Sequence, residues 1–344
     1  ANIDQYATLV MDKFTRRRLI QTGGTIAQLG YDTATPLETV LDQAEQQVFG
    51  ITQDRPQSGL TATSDILIDT FSEIEQRSLG VVLPGIPCSF YDLDAMTQGF
   101  QRSDLIIAAG RPSMGKTSFV LNIARNISAI NKLPVAVFSL EMSKLQLVYR
   151  LLSSEVEIES SRLRSGRIAQ QEWEKLGHAI SVLSQMPLFI DDTPNISVTE
   201  MRSKARRLQA EQGGALGLIL VDYLQLMEGG GDNRVQELSK ITRSLKGLAR
   251  ELNAPIIALS QLSRGVESRT NKRPMMSDLR ESGAIEQDAD LIMMLYREEY
   301  YEPDTPDRGI AEVIITKHRN GPTGTVKLLF EPQYTRFRNL ARPG

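Results

Sequence analysis

Gly110-Arg111-Pro112-Ser113-Met114-Gly115-Lys116-Thr117 constrains this chain more than any other stretch. It follows Asp104-Leu105-Ile106-Ile107-Ala108-Ala109, an apolar run that predicts a buried strand, and it precedes Ser118-Phe119-Val120-Leu121-Asn122-Ile123-Ala124-Arg125, which predicts a helix. Strand, loop and helix are the setting in which the pattern G-x-x-x-x-G-K-[ST] binds phosphates. Glycines let the backbone wrap closely around an anion. The amides at the helix start, through Ser118, point at that anion, and the helix dipole assists. Lys116 can reach the β- and γ-phosphates, and the Thr117 hydroxyl can hold Mg²⁺. A Gly-rich turn with an incidental surface lysine is the competing explanation, and the flanking strand and helix argue against it.

The remaining elements follow in order. Residues 4–29 show helical spacing at Leu9, Phe14, Leu19, Ile20, Ile26 and Leu29, with a basic run Arg16-Arg17-Arg18. Thr35-Pro36 supplies an N-cap and a first helical residue for a second helix over 37–50. Two short helices cannot bury a core alone, so 1–50 reads as the remnant of a helical domain, or as a hairpin that packs on a partner. The chain opens with Ala directly into helical pattern, which is the look of a segment that begins inside a longer protein. Residues 51–62, rich in Gln, Pro, Ser, Gly and Thr, read as a linker. An amphipathic helix at 64–79 follows, with Ile66, Ile68, Phe71, Ile74 and Leu79. Periodicity alone fits equally a helix docked on a neighbouring subunit and one packed on its own domain.

From about 85 onward, strands are expected at 105–109, 134–139, 187–191, 216–222 and 255–260, and helical segments at 144–185, 198–212 and 234–252. A long Arg- and Ser-rich loop spans 262–283. Strands at 289–296, 310–318 and 325–330 close the chain, the last two joined by Asn320-Gly321-Pro322-Thr323-Gly324. Alternating strands and helices argue for a mainly parallel α/β sheet, with a terminal antiparallel hairpin. Composition adds exclusions. With 24% charged and 41% hydrophobic residues the chain is an ordinary globular one, and no apolar run is long enough to span a membrane. Its lone cysteine, Cys88, cannot form an internal disulfide, which fits a reducing compartment. Having only two histidines, His178 and His318, argues against a His-based zinc site. A net charge of −3 argues against a bulk polyanion-binding surface, so any nucleic-acid contact is local, in a channel or on loops.

Several side chains stand where chemistry is expected. Asp222 ends an apolar strand, at the carboxyl edge where α/β sheets bind ligands, and can hold Mg²⁺ directly or through water. Glu141 ends the strand after the phosphate-loop helix; a carboxylate there can orient or deprotonate an attacking water, and a solvated loop glutamate fits the same position. Gln261, ending the strand after Asp222, can sense a γ-phosphate or simply be a polar strand end. Lys317 and Arg319 flank the 320–324 turn. An arginine there can serve a neighbour's γ-phosphate and make hydrolysis depend on assembly; a basic hairpin tip is the plainer option. Arg280, Glu281 and Gly283 lie in a loop that can line a channel and hold a phosphate backbone without reading bases, or can be solvated.

Seven stretches resemble the DnaB-type replicative DNA helicases of bacteria and plastids: SFYDLDAMTQGF at 89–100, GRPSMGKTSF at 110–119, SLEMS at 139–143, ILVDYLQLM at 219–227, ALSQLSR at 258–264, SDLRESGAIEQDAD at 277–290 and TKHRNGPTG at 316–324. They fall in order over about 85–330. The resemblance implies a RecA-like core at 85–344 in a homohexameric ring that hydrolyses ATP with Mg²⁺ and moves 5′→3′ on single-stranded DNA, opening forked duplex. It implies Lys116 and Thr117 on phosphates and metal, Glu141 as catalytic carboxylate, Asp222 supporting the metal, Gln261 as γ-phosphate sensor, Arg319 as arginine finger with Lys317 its companion, and Arg280, Glu281 and Gly283 on the DNA backbone. The segment 234–250 would follow a second channel loop. It further implies that 51–84 is a linker and linker helix docking on the adjacent subunit, that primase and a helicase loader meet the full-length protein, and that the setting is a bacterial cytoplasm or plastid stroma. Departures are the N-terminal domain, represented only by 1–50, and a Gly229-Gly230-Gly231 loop longer than usual. A RecA-like strand-exchange ATPase and an ATP-dependent assembly scaffold are the alternatives. SLEMS, KHRNGPTG and the linker helix argue against the first, and the joint set of Lys116, Glu141 and Arg319 against the second.

Overall fold

The computed structural model describes residues 3–53, 61–80, 83–227, 234–279 and 283–340. Its contacts divide the chain into two units, Ala1–Val81 and Val82–Gly344.

The first unit holds helices α1 (Ile3–Tyr31), α2 (Leu37–Gln53) and α3 (Thr63–Ser78). Between α1 and α2 the Asp32 carboxylate accepts from the amides of Ala34 and Thr35 and from the Thr35 hydroxyl, a local turn that competes with helix continuation. Pro36 then presets the first helical φ, and its carbonyl accepts from Val40. Helix α2 runs to Gln53, so the first three residues of the expected 51–62 linker are helical. Val40 and Ile51 are buried. Helix α3 buries none of its residues.

The second unit is built on a sheet that, among the described residues, has nine strands in the order β3-β2-β4-β5-β1-β6-β7-β8-β9. In chain order its elements are α4 (Tyr91–Thr97), β1 (Leu105–Gly110), α5 (Lys116–Ile130), β2 (Val135–Ser139), α6 (Lys144–Val156), α7 (Ser160–Ser165), α8 (Glu172–Ser184), β3 (Leu188–Asp191), α9 (Val198–Glu211), β4 (Leu218–Asp222), α10 (Arg234–Leu252), β5 (Ile256–Gln261), α11 (Gly283–Asp288), β6 (Leu291–Tyr296), α12 (Glu298–Tyr301), β7 (Ile310–His318), β8 (Gly324–Glu331) and β9 (Arg336–Asn339). Strands β3 to β6 in the sheet order are parallel, and β7, β8 and β9 add antiparallel. The parallel strands are apolar without alternation because both faces are covered. Ile106 and Ala108 face a core layer with Phe119 and Ile123 of α5, whereas Leu105, Ile107 and Ala109 face the layer of α9 and α10 with Met201, Leu245 and Leu248.

Register decides what meets at the sheet edge. Gly110 pairs with Gln261 and Ser139 with Asp222, so four strand ends from distant parts of the sequence converge. Ile106 pairs with Leu291, which leaves Asp290 at the opposite edge. The expected 262–283 loop holds two short 3₁₀ turns, Arg264–Ser268 and Met276–Asp278, tied by an Leu262–Leu279 bridge. Strand β9 and the short helices α4, α11 and α12 went unread as elements in the sequence; each is too brief to set up a period.

Candidate nucleotide site

The loop after β1 is held open by its neighbours. Gly115 caps α5 with φ +88°, and Ser113 also takes a positive φ of 69°. Arg111 points away from the loop interior, donating to Glu267 Oε1 at 2.9 Å and the Leu262 carbonyl at 3.0 Å. From the far end of β6, Arg297 donates to the Ser113 carbonyl at 2.9 Å and lies over the Phe330 ring. Met114 is buried in the core beneath the loop.

A cavity of about 560 Å³ opens above the loop. Pro112, Ser113, Gly115, Lys116 and Thr117 line it together with Glu141, Asp222 and Gln261, three side chains the sequence singled out at three other strand ends. Gly110, Arg111, Met114 and Ser118 do not line it. Gly110 accepts the Lys116 ammonium on its carbonyl at 2.8 Å, and Ser118 is buried in α5. The Thr117 hydroxyl donates to Asp222 Oδ2 at 3.0 Å. Burial lifts the Asp222 carboxyl to about 6, and nearby Glu141 adds to the rise; the Thr117 hydrogen bond and the charges of Lys116 and Arg150 oppose it. Burial likewise lowers the Lys116 ammonium, against the pull of Asp222 and Glu141. Hard oxygen donors on Thr117 and Asp222, side by side, suit Mg²⁺ rather than a soft metal.

Four more residues line the cavity: Met142 and Tyr223, which adjoin Glu141 and Asp222 in the motif stretches, and two that lie outside every such stretch. Arg150 of α6 faces the same cavity; burial lowers its guanidinium, while Asp222 and Glu141 pull it back up. Gln146, one turn earlier, also lines it and closes a capping box with Ser143. The only signal for either was the i, i+4 spacing that puts both on one face of a helix.

Lys317 and Arg319 are absent from this cavity. Both reach the last turn of α11: Lys317 donates to the carbonyls of Glu286 and Gln287, and Arg319 to that of Gln287 at 3.2 Å. Burial and the adjacent Arg319 charge lower the Lys317 ammonium. Gly283 opens α11 and is exposed. Arg280, Glu281 and the Gly229–Gly231 loop lie outside the described residues.

A phosphate loop at the carboxyl edge of a parallel sheet, with two carboxylates and an amide at adjoining strand ends, defines a RecA-like P-loop protein. The family model described as DnaB-like helicase C terminal domain matches residues 85–339. The replicative DNA helicase DnaB of Nostoc sp. is 73% identical over 288 residues, covering 84% of this chain and 33% of that protein. The replicative DNA helicase DnaC of Bacillus subtilis is 51% identical over 346 residues, covering 99% and 76%. A solved DnaB-like replicative helicase, described with its interactions with primase, superposes with a TM-score of 0.85 at 38% identity, covering 99% of this chain and 80% of the other. The chain thus spans a third of the Nostoc relative's length and three quarters of the Bacillus one's. It belongs to the DnaB-like helicase family.

Proposed function

We propose that this chain is the motor part of a replicative DNA helicase, a homohexameric ring that couples ATP hydrolysis to 5′→3′ movement on single-stranded DNA and opens forked duplex. The carrying observation is the convergence of Lys116, Thr117, Glu141, Asp222 and Gln261 on one cavity, with Arg319 at the other edge of the sheet. Lys116 holds the β- and γ-phosphates. Glu141 orients and deprotonates the attacking water, and Gln261 contacts the γ-phosphate. Thr117 and Asp222 would hold Mg²⁺, which neutralises charge on the phosphates.

Arg319 sits beside Asp290, level with Leu105, five residue steps, or about 16 Å, from Gly110 along β1. It therefore cannot reach the triphosphate of its own chain, and a head-to-tail ring puts it against a neighbour's. Lys317 travels with it. Residues 1–50 belong to a helical N-terminal domain, 51–84 are the linker and linker helix, and 85–344 the ATPase core. Ile66, Ile68, Phe71 and Ile74, all exposed on α3, support docking of that helix on the adjacent subunit. Arg280, Glu281 and Gly283 hold the DNA backbone; primase and a loader meet the longer protein in a bacterial cytoplasm or plastid stroma. Among the described residues no helix is long and apolar enough to cross a membrane.

The test is subunit mixing. Lys116→Ala and Arg319→Ala should each lower ATPase by about 10³-fold or more, and Arg319→Ala should leave nucleotide binding nearly intact. In random mixtures about one interface in four joins an intact loop to an intact finger, so turnover should recover toward that fraction. No recovery at any ratio would refute the shared site.

A further inference from the structure

Asp290, just before β6, is 2% exposed and takes no part in the nucleotide cavity. Its two oxygens have different partners. Oδ2 accepts from the Leu105 amide at 2.9 Å and pairs with the Lys246 ammonium of α10. Oδ1 stands 3.4 Å from Arg319 Nη1. The Arg319 amide donates to the Asp290 carbonyl at 2.8 Å, and Arg319 Nη2 reaches the Gln287 carbonyl. Arg319 is thus held at its backbone and at two of its guanidinium nitrogens.

A carboxylate this buried is costly unless its oxygens have partners. Lys246 and the Leu105 amide already meet that demand through Oδ2. The guanidinium, half exposed and at the longest distance of the set, is the third and loosest partner. When it moves to a phosphate, Asp290 keeps the Leu105 amide and Lys246, a lysine that also stands 3.9 Å from Asp104. A carboxylate serving only as a staple for the start of β1 would need Oδ2 alone; here the second oxygen is turned to the arginine.

We propose that Asp290 is the positioning residue for Arg319, anchored through Oδ2 to β1 and α10 and aiming the guanidinium through Oδ1. This rests on the shared-site reading above. Displacing a catalytic group by about an ångström costs up to about 100-fold. Asp290→Asn keeps the shape and an acceptor for the Leu105 amide but gives up the charge. It should lower kcat by about 10- to 100-fold while KM for ATP and the affinity for a non-hydrolysable analogue hold, because the cavity lies at the other edge. Because Asp290→Asn leaves Lys246 facing a neutral amide, the double variant Asp290→Asn, Lys246→Met is made alongside it, with Lys246→Met alone as its control, since that lysine also donates to the Ser103 carbonyl and stands 3.9 Å from Asp104; the double variant should show the same kcat defect relative to that control.

Mixing separates positioning from general damage. Asp290→Asn subunits should recover turnover with Lys116→Ala subunits and fail to recover it with Arg319→Ala subunits, since positions 290 and 319 share the finger side. Wild-type kcat in both position-290 variants, nucleotide affinity falling with kcat, or recovery with Arg319→Ala would each overturn the proposal. The Lys116→Ala and Arg319→Ala pair, which leaves position 290 intact, is the control. Its failure would sink the shared-site reading and this proposal together, whereas its success beside failure of the Asp290→Asn pairings would sink this proposal alone.

Discussion

Replacing Gly115 by Ala tests the loop geometry quantitatively. The residue sits at φ +88°, and a Cβ there would stand 3.0 Å from Phe330 Cζ and 3.1 Å from Phe337 Cζ. Those rings cannot recoil freely. They stack on each other with centroids 4.4 Å apart, Phe337 also meets Phe119, and Arg297 covers Phe330. The left-handed backbone costs an L-residue about 1–2 kcal/mol, and forcing a methyl into a packed wall costs about 1–3 kcal/mol. The expected destabilisation is about 2–5 kcal/mol in total by these principles. Gly166, at the end of α7, is the control: φ is +68° and nothing lies within 4 Å of a Cβ there. Gly166→Ala carries the backbone cost alone, so urea unfolding should separate the two variants by about 1–3 kcal/mol. Affinity for a non-hydrolysable ATP analogue, measured by calorimetry, should fall in Gly115→Ala and hold in Gly166→Ala. Equal destabilisation of both would show that the aromatic wall yields and that packing does not set the loop.

Further outcomes follow from the charges in the cavity. The folded pKa of Asp222, about 6, lies above its ordinary value of 3.8. Folding therefore favours the neutral carboxyl; this contribution is fully present below about pH 4 and is lost as pH rises through about 6. Nucleotide-free Asp222→Asn should exceed wild type in stability by about 1–3 kcal/mol at pH 8, and the gap should close near pH 4 in denaturant titrations. Because Mg²⁺ needs the ionised carboxylate, wild-type affinity for the Mg²⁺ complex of the analogue should fall as pH drops below about 6, and Asp222→Asn should lose that dependence. Arg150→Ala should weaken analogue binding by about 10- to 100-fold, the worth of one charge-assisted hydrogen bond; unchanged affinity would remove Arg150 from the phosphate path.

Much of the site was legible because parallel α/β sheets place strand ends at one edge. Glu141, Asp222 and Gln261 each follow an apolar run, so their positions were readable without knowing the strand order. The order itself, which sets Gly110 beside Gln261 and Ser139 beside Asp222, comes from pairing between distant segments and leaves no local mark. Arg150 was hidden inside an ordinary amphipathic helix. Arg297 reaches Ser113 across 184 residues, and the Phe330–Phe337 wall joins β8, which the sequence announces only as half of a hairpin, to β9, which it does not announce. Arg111 and Met114 match the motif by position and Ser118 follows it, yet all three serve its scaffold and not its cavity. The placement of Arg319 on the far edge needed the β1–β6 register, since its sequence context says only that a basic residue adjoins a turn.

The most direct measurement is strand displacement from a forked DNA duplex by the assembled particle, run with ATP, with a non-hydrolysable analogue and with Lys116→Ala. Displacement only where ATP turns over, and only when the encircled strand offers a free 5′ tail, is the result the account requires. A particle that hydrolyses ATP on DNA yet displaces no strand, or one that exchanges strands with the analogue alone, would contradict it.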